Sequence, residues 1–135
     1  MHRILYLSQM APGKAHEVFG AICLRARARN RQLGVSGVLV FDGQRFCQFL
    51  QGPAAEVQAL MATIARDPRH HGIVMLMDEP CSAENHPVNW AAGFVDPGDL
   101  DLLDPALGAP DTTPPLPTFS QLLARAELDS APPPL

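Results

Sequence analysis

The period of hydrophobic and polar positions changes several times along the chain. Residues 3–8 form a short apolar run with Ile4 and Tyr6, which predicts a strand. Beyond Pro12 the period becomes helical to about residue 32: Val18, Phe19, Ile22, Cys23 and Ala26 recur at i, i+3, i+4 and i+7 spacing, and Gly34 follows as a C-terminal stop. Residues 35–41 and 45–51 predict two strands joined at Asp42-Gly43, a hairpin signal. Gly52-Pro53 ends the second of them. Residues 54–66 return to helical spacing, with Val57, Leu60, Met61 and Ile64 on one face. Residues 73–77 and 90–95 predict two further strands separated by a proline-containing loop.

The resulting order, βαββαββ, fits a split βαβ arrangement. The expected fold is α+β and ferredoxin-like, a mixed five-stranded sheet with two helices on one face. The other face needs a cover. Phe119, Leu122, Leu123 and Ala126 have the spacing of a short amphipathic helix near residues 117–128, which suits that role.

Charge divides the chain where the last strand ends. Residues 1–95 carry nine Lys/Arg and seven Asp/Glu, whereas residues 96–135 carry one Arg, seven Asp/Glu and nine of the fourteen prolines. This predicts a compact domain over 1–95 and an acidic, proline-rich tail over 96–135. The net charge of −4 leaves no basic surplus for phosphates, which argues against general nucleic-acid binding. No apolar run reaches the 18 residues a membrane span needs. The N-terminus lacks a signal-peptide cleavage pattern, and Cys23, Cys47 and Cys81 are odd in number and widely spaced, so a reducing cytoplasm is expected.

Most motifs of enzyme chemistry are missing. The glycines form neither GxGxxG nor a P-loop. Ser8 and Ser36 lack a His and Asp at triad spacing. An acylphosphatase-like hydrolase on this architecture would need an Arg-Asn phosphate site that the expected loop does not carry. His70 and His71 are adjacent, a poor bidentate metal spacing even with Cys81 and His86, and read as cations at a helix end. Arg25, Arg27, Arg29 and Arg31 fan over more than one helix face and read as solvated, with Arg29 a candidate for contact with a ligand phosphate.

Two polar residues fall on apolar faces. Alternation puts Gln48 between Phe46 and Leu50, and Tyr6 between Ile4 and Ser8. The first and third strands are central neighbours in this architecture, so Tyr6 and Gln48 can meet under the helices. Asn30 lies seven residues after Cys23 on the apolar helix face and points to the same cleft. A phenol and two amides supply donors and acceptors but no strong acid or base, which suits a planar ligand with a polar edge. A satisfied core pair is the alternative reading of the same residues.

These stretches resemble the BLUF family, flavin-binding sensors of blue light, over about residues 2–95. RILYLSQ resembles its first strand, with Tyr6 at the redox-active tyrosine. RNRQLGVSGVLVFDGQRFCQFLQG resembles its most characteristic segment, with Asn30 at the flavin-binding asparagine and Gln48 at the switching glutamine. IARDPRHHG resembles the end of its second helix, and NWAAGF its last strand, with Trp90 at the semi-conserved tryptophan. The resemblance implies noncovalent flavin (FAD, with FMN or riboflavin as alternatives) bound by Tyr6, Ile22, Arg29, Asn30, Leu39, Phe46, Gln48, Ile64, Asp67 and His70. It implies a photoactive relay of Tyr6, Gln48 and Trp90. Tyr6 gives up an electron and a proton by way of Gln48, and Gln48 is left in a changed rotamer or tautomer that red-shifts the flavin until thermal reversal. That is a switch without net chemistry, not an enzyme.

The length suggests a short stand-alone sensor that signals to a separate protein partner, with homodimerisation or higher assembly through sheet or tail surfaces compatible with it. Arg29, Gln51, Thr63 and Ala92 depart from the family pattern. Arg29, Thr63 and Ala92 motivate a second reading, a degenerate BLUF-like interaction module that no longer binds flavin or senses light.

Overall fold

The computed structural model describes residues 1–11, 33–82, 90–96, 98–103, 119, 121 and 127–130. Its elements are β1 (His2–Met10), β2 (Ser36–Phe41), β3 (Arg45–Gly52), helix α1 (Ala54–Ala65), β4 (His70–Pro80), β5 (Trp90–Phe94), a 3-10 turn (Asp99–Leu103) and β6 (Glu127–Ser130). The strands form one six-stranded sheet in the order β4-β1-β3-β2-β5-β6. The β1, β2, β3 and β4 pairings are antiparallel; β2 and β5 run parallel, so the sheet is mixed. As the βαββαββ order requires, β1 and β3 are central neighbours.

Apolar material lies on both faces, which explains why Ile4, Leu5, Tyr6 and Leu7 are consecutive and all buried. One core layer gathers Ile4, Tyr6, Val35 and Leu50 under Val57, Leu60 and Ile64 of α1. Each of those three helix side chains contributes about 1.5–3 kcal/mol on burial. Pro53, with φ −55°, starts the helix without a side-chain cap: its carbonyl accepts from the Val57 N–H at 2.9 Å, and Glu56 sits favourably in the first turn. The second layer gathers Leu5, Leu7, Val40, Cys47 and Val95 with Leu100, Leu103 and Phe119.

The hairpin turn is built by Asp42. Its buried carboxylate accepts from the Gln44 and Arg45 N–H groups at 2.9 and 2.8 Å, and Gly43 takes φ 97°. Gly37 is required for a different reason, because a Cβ there would lie 2.3 Å from the Phe49 carbonyl oxygen across the β2–β3 pair.

Several sequence expectations change. Among the described residues the sheet has six strands, not five. The sixth comes from the tail, so residues 127 and 128, expected in the amphipathic helix, are extended instead. The reason is non-local: an unpaired β5 edge leaves backbone N–H and C=O groups that a strand satisfies and a helix does not. Phe119 is helical, 1% exposed and packed in the layer with Leu5 and Leu7; Leu122, Leu123 and Ala126 of the expected tail helix lie outside the described residues. Leu100 and Leu103, both 0% exposed, join it from a stretch that reads as acidic tail. β4 is far longer than residues 73–77, because pairing with β1 recruits its polar ends. His70 and His71 therefore open a strand rather than cap a helix. One helix, α1, packs on the sheet among the described residues; the helix expected over 12–32 lies outside them.

Candidate functional site

The site begins at the centre of the sheet. Tyr6 and Gln48 stand directly opposite each other in the β1–β3 register. The Tyr6 hydroxyl donates to Gln48 Oε1 at 2.5 Å, and both residues are 3% exposed. This answers the cost of burying an amide among apolar neighbours. It also orients the amide: its carbonyl is committed to Tyr6, so its N–H groups are the donors for any other acceptor.

The same lateral row continues through Leu39, which faces Gln48 from β2, to Ala92 of β5, and then to Asp129 of β6. On the other side it reaches Met75 of β4. The β1–β4 register shifts between Leu5 and Tyr6 and again between Leu7 and Gln9, so irregularities bracket Tyr6 on its outer side. Leu39 and Phe46, each 2% exposed, flank Gln48 with apolar surface; Phe46 stacks on Phe41 at 4.8 Å.

His70 closes the site at the end of the sheet. Its ring lies 6.3 Å from Tyr6, and also 6.3 Å from Phe46, edge-on. Nε2 is 2.6 Å from the Ile64 carbonyl oxygen and Nδ1 is 2.8 Å from Ser8 Oγ. Ser8 was not among the sequence candidates. Its signal was the one that marked Gln48: a polar residue on an apolar strand face, two positions from Tyr6.

Asp67 sits in the turn before β4. It accepts from the Arg69 N–H at 3.0 Å and is forked by the Arg69 guanidinium, which donates from Nε at 2.9 and 3.0 Å and also from Nη2. Those bonds outweigh partial burial and hold its carboxyl below the usual range. Trp90 pairs with Gly37 and Ala92 with Leu39 through the β2–β5 ladder. Ile22, Arg29 and Asn30 lie outside the described residues. Cys47, beside Gln48 in sequence, points to the opposite layer, and burial pushes its thiol well above the ordinary range, which makes it a poor nucleophile. Among the described residues no three His, Cys, Asp or Glu side chains gather as a metal site, and no helix is long and apolar enough to cross a membrane.

A mixed sheet with apolar layers on both faces thus carries a buried phenol–amide pair at its centre. Residues 1–92 match the family model for BLUF, sensors of blue light using FAD, and the chain belongs to that family. It is 30% identical over 128 residues to the photoactivated adenylate cyclase subunit beta of Euglena gracilis, a match that covers 93% of this chain and 14% of that one. Among solved structures it is similar to BlrB, a BLUF protein in its dark state, with 26% identity and a TM-score of 0.68, covering 91% of this chain and 94% of that one. It is also similar to Klebsiella pneumoniae BlrP1 with FMN and cyclic diGMP, with 32% identity and a TM-score of 0.57, covering 62% of this chain and 22% of that one.

Proposed function

We propose that this protein is a blue-light photoreceptor that binds flavin noncovalently and switches through Tyr6 and Gln48. The observation that carries the reading is the buried 2.5 Å bond from the Tyr6 hydroxyl to Gln48 Oε1. The donor set fits a flavin: amide N–H groups on a face walled by Leu39, Phe46 and Ile64 offer a polar edge and apolar sides to a planar ring. When bound, flavin supplies the blue absorption and, once excited, the electron acceptor. Tyr6 would give its electron to that acceptor and, through its short bond, its proton to Gln48. Gln48 can pass a proton or turn its amide, because one group both accepts and donates. Ile22, Arg29, Asn30, Asp67 and His70 complete the proposed binding set. FAD is the flavin the family description names, and FMN or riboflavin would meet the same edge.

The residues act as a switch and not as an enzyme. Residues 1–95 form the proposed flavin-binding unit. The signal leaves through the tail side of the sheet, for a physical reason. Leu5, Leu7 and Cys47, the sequence neighbours of Tyr6 and Gln48, pack against Leu100, Leu103 and Phe119. A partner protein or a second copy reading that surface would sense a change at Gln48. The free thiols of Cys47 and Cys81 fit a cytoplasmic setting.

The test is an absorption spectrum of the purified chain in the dark and after blue light. The expected result is a flavin spectrum that red-shifts reversibly, with Tyr6→Phe keeping the flavin and losing the shift. A normal shift in Tyr6→Phe would overturn the mechanism. A chain that takes up no FAD, FMN or riboflavin would be the degenerate interaction module instead.

A further inference from the structure

We infer that Ser8 and His70 form a clamp that holds the wall beside Tyr6, with His70 locked as the Nε2–H tautomer. The inference deepens the photoreceptor reading and rests on it for its consequence, though not for its geometry.

The tautomer follows from the partners. A backbone carbonyl only accepts, so the nitrogen 2.6 Å from the Ile64 oxygen must carry hydrogen. In a neutral ring Nδ1 then holds a lone pair, and the Ser8 hydroxyl at 2.8 Å donates to it. Ser8 is 1% exposed and sits on the same strand face as Tyr6. Ile64 ends the buried stripe of α1, and its carbonyl also accepts the Asp67 N–H at 3.0 Å. Its two lone pairs are thus both engaged, which meets the usual shortage of partners at a helix C-terminus.

Imidazole therefore ties the end of α1 to the central strand β1. Between these anchors its ring edges Phe46 and tilts against Tyr6 at 53°, a side-wall for the phenol. The Tyr6–Gln48 bond depends on the phenol staying where Gln48 can reach it. His70 is accordingly a positioning residue: it acts on the relay through Tyr6 and need not exchange a proton with it. The β1–β4 register shifts just before Tyr6 and again between Leu7 and Gln9, next to the Ser8 anchor.

The chain itself is the subject of the test, with and without FAD. With the ring neutral, ¹⁵N spectra of the histidine rings should show His70 with hydrogen on Nε2 and a lone pair on Nδ1. Ser8→Ala should shift the Nδ1 resonance. An Nδ1–H tautomer, or a freely exchanging ring, would overturn the clamp whether or not flavin binds. In the flavin-loaded chain, Ser8→Ala should lower the red-shifted fraction formed per absorbed photon about fivefold, the factor expected for one lost hydrogen bond, and His70→Leu, which loses both ring bonds, should lower it further. His70→Gln should recover part of the yield lost in His70→Leu, since its amide can donate to Ile64 and accept from Ser8. Wild-type yields in both Ser8→Ala and His70→Leu would refute the positioning role. Should His70→Leu fail to fold, Ser8→Ala and the ring spectra decide. A wild type that loads flavin and does not shift would refute the photoreceptor reading instead, and the ring spectra separate the two failures.

Discussion

The bond between Tyr6 and Gln48 makes a thermodynamic prediction that needs no light. Tyr6→Phe keeps the ring and removes the donor, which leaves a carbonyl oxygen on a residue 3% exposed without that partner. Stranding one member of a buried hydrogen bond costs about 1–3 kcal/mol, whereas replacing both members with apolar groups of similar shape is close to neutral. Gln48→Leu removes the amide oxygen to which the phenol donates. The two single variants should therefore each lose about 2 kcal/mol, and the double variant Tyr6→Phe/Gln48→Leu should lose far less than their sum. The assay is urea unfolding of the flavin-free chain followed by circular dichroism, so that ligand binding adds nothing to the stability. With an m-value of about 2 kcal/mol per molar, each single variant should drop the midpoint by about 1 M. A coupling energy below about 0.5 kcal/mol, the size seen for independent sites, would refute the claim that the pair is one buried unit.

Three further outcomes follow from the packing and charges. Leu103→Ala removes a fully buried side chain from the layer behind β1 and β3, and should cost about 2–5 kcal/mol by thermal or urea unfolding; a cost near zero would mean that the tail does not complete the core. Cys47 should resist alkylation in the native chain and react on unfolding, with Cys81, only partly buried, labelled first; peptide mass spectrometry reads the order. The Asp67 carboxyl is held low by Arg69, so its contribution to stability is full above the unfolded value of about 4 and is lost as pH falls through the lower folded value. Acid titrations should show a smaller loss of stability below about pH 4 for Asp67→Asn than for the wild type, and identical acid limbs would remove the ion pair from the account.

Much of the central architecture was legible in local pattern. The hairpin at Asp42-Gly43 and the helix bearing Val57, Leu60 and Ile64 follow from spacing and turn chemistry. The Tyr6–Gln48 meeting was legible too, because strand alternation and the adjacency of the first and third strands leave two polar residues on one apolar face. The ends of elements were less so. His70 reads as a helix-end residue because its neighbours Asp67, Pro68 and Arg69 are turn and charge residues. It becomes a strand residue only because β1 is there to pair with it.

The sequence by itself determined which residues are apolar, where the chain turns, and that a phenol and an amide share a buried face, since these depend on neighbours within a few positions. Only the tertiary structure decided that Leu100, Leu103 and Phe119 belong to the core, that residues 127–130 pair with β5, and that Ser8 meets His70. Those contacts join segments from about 30 to over 100 positions apart. Their stability comes from apolar area and backbone groups supplied by the rest of the sheet, which no local window contains.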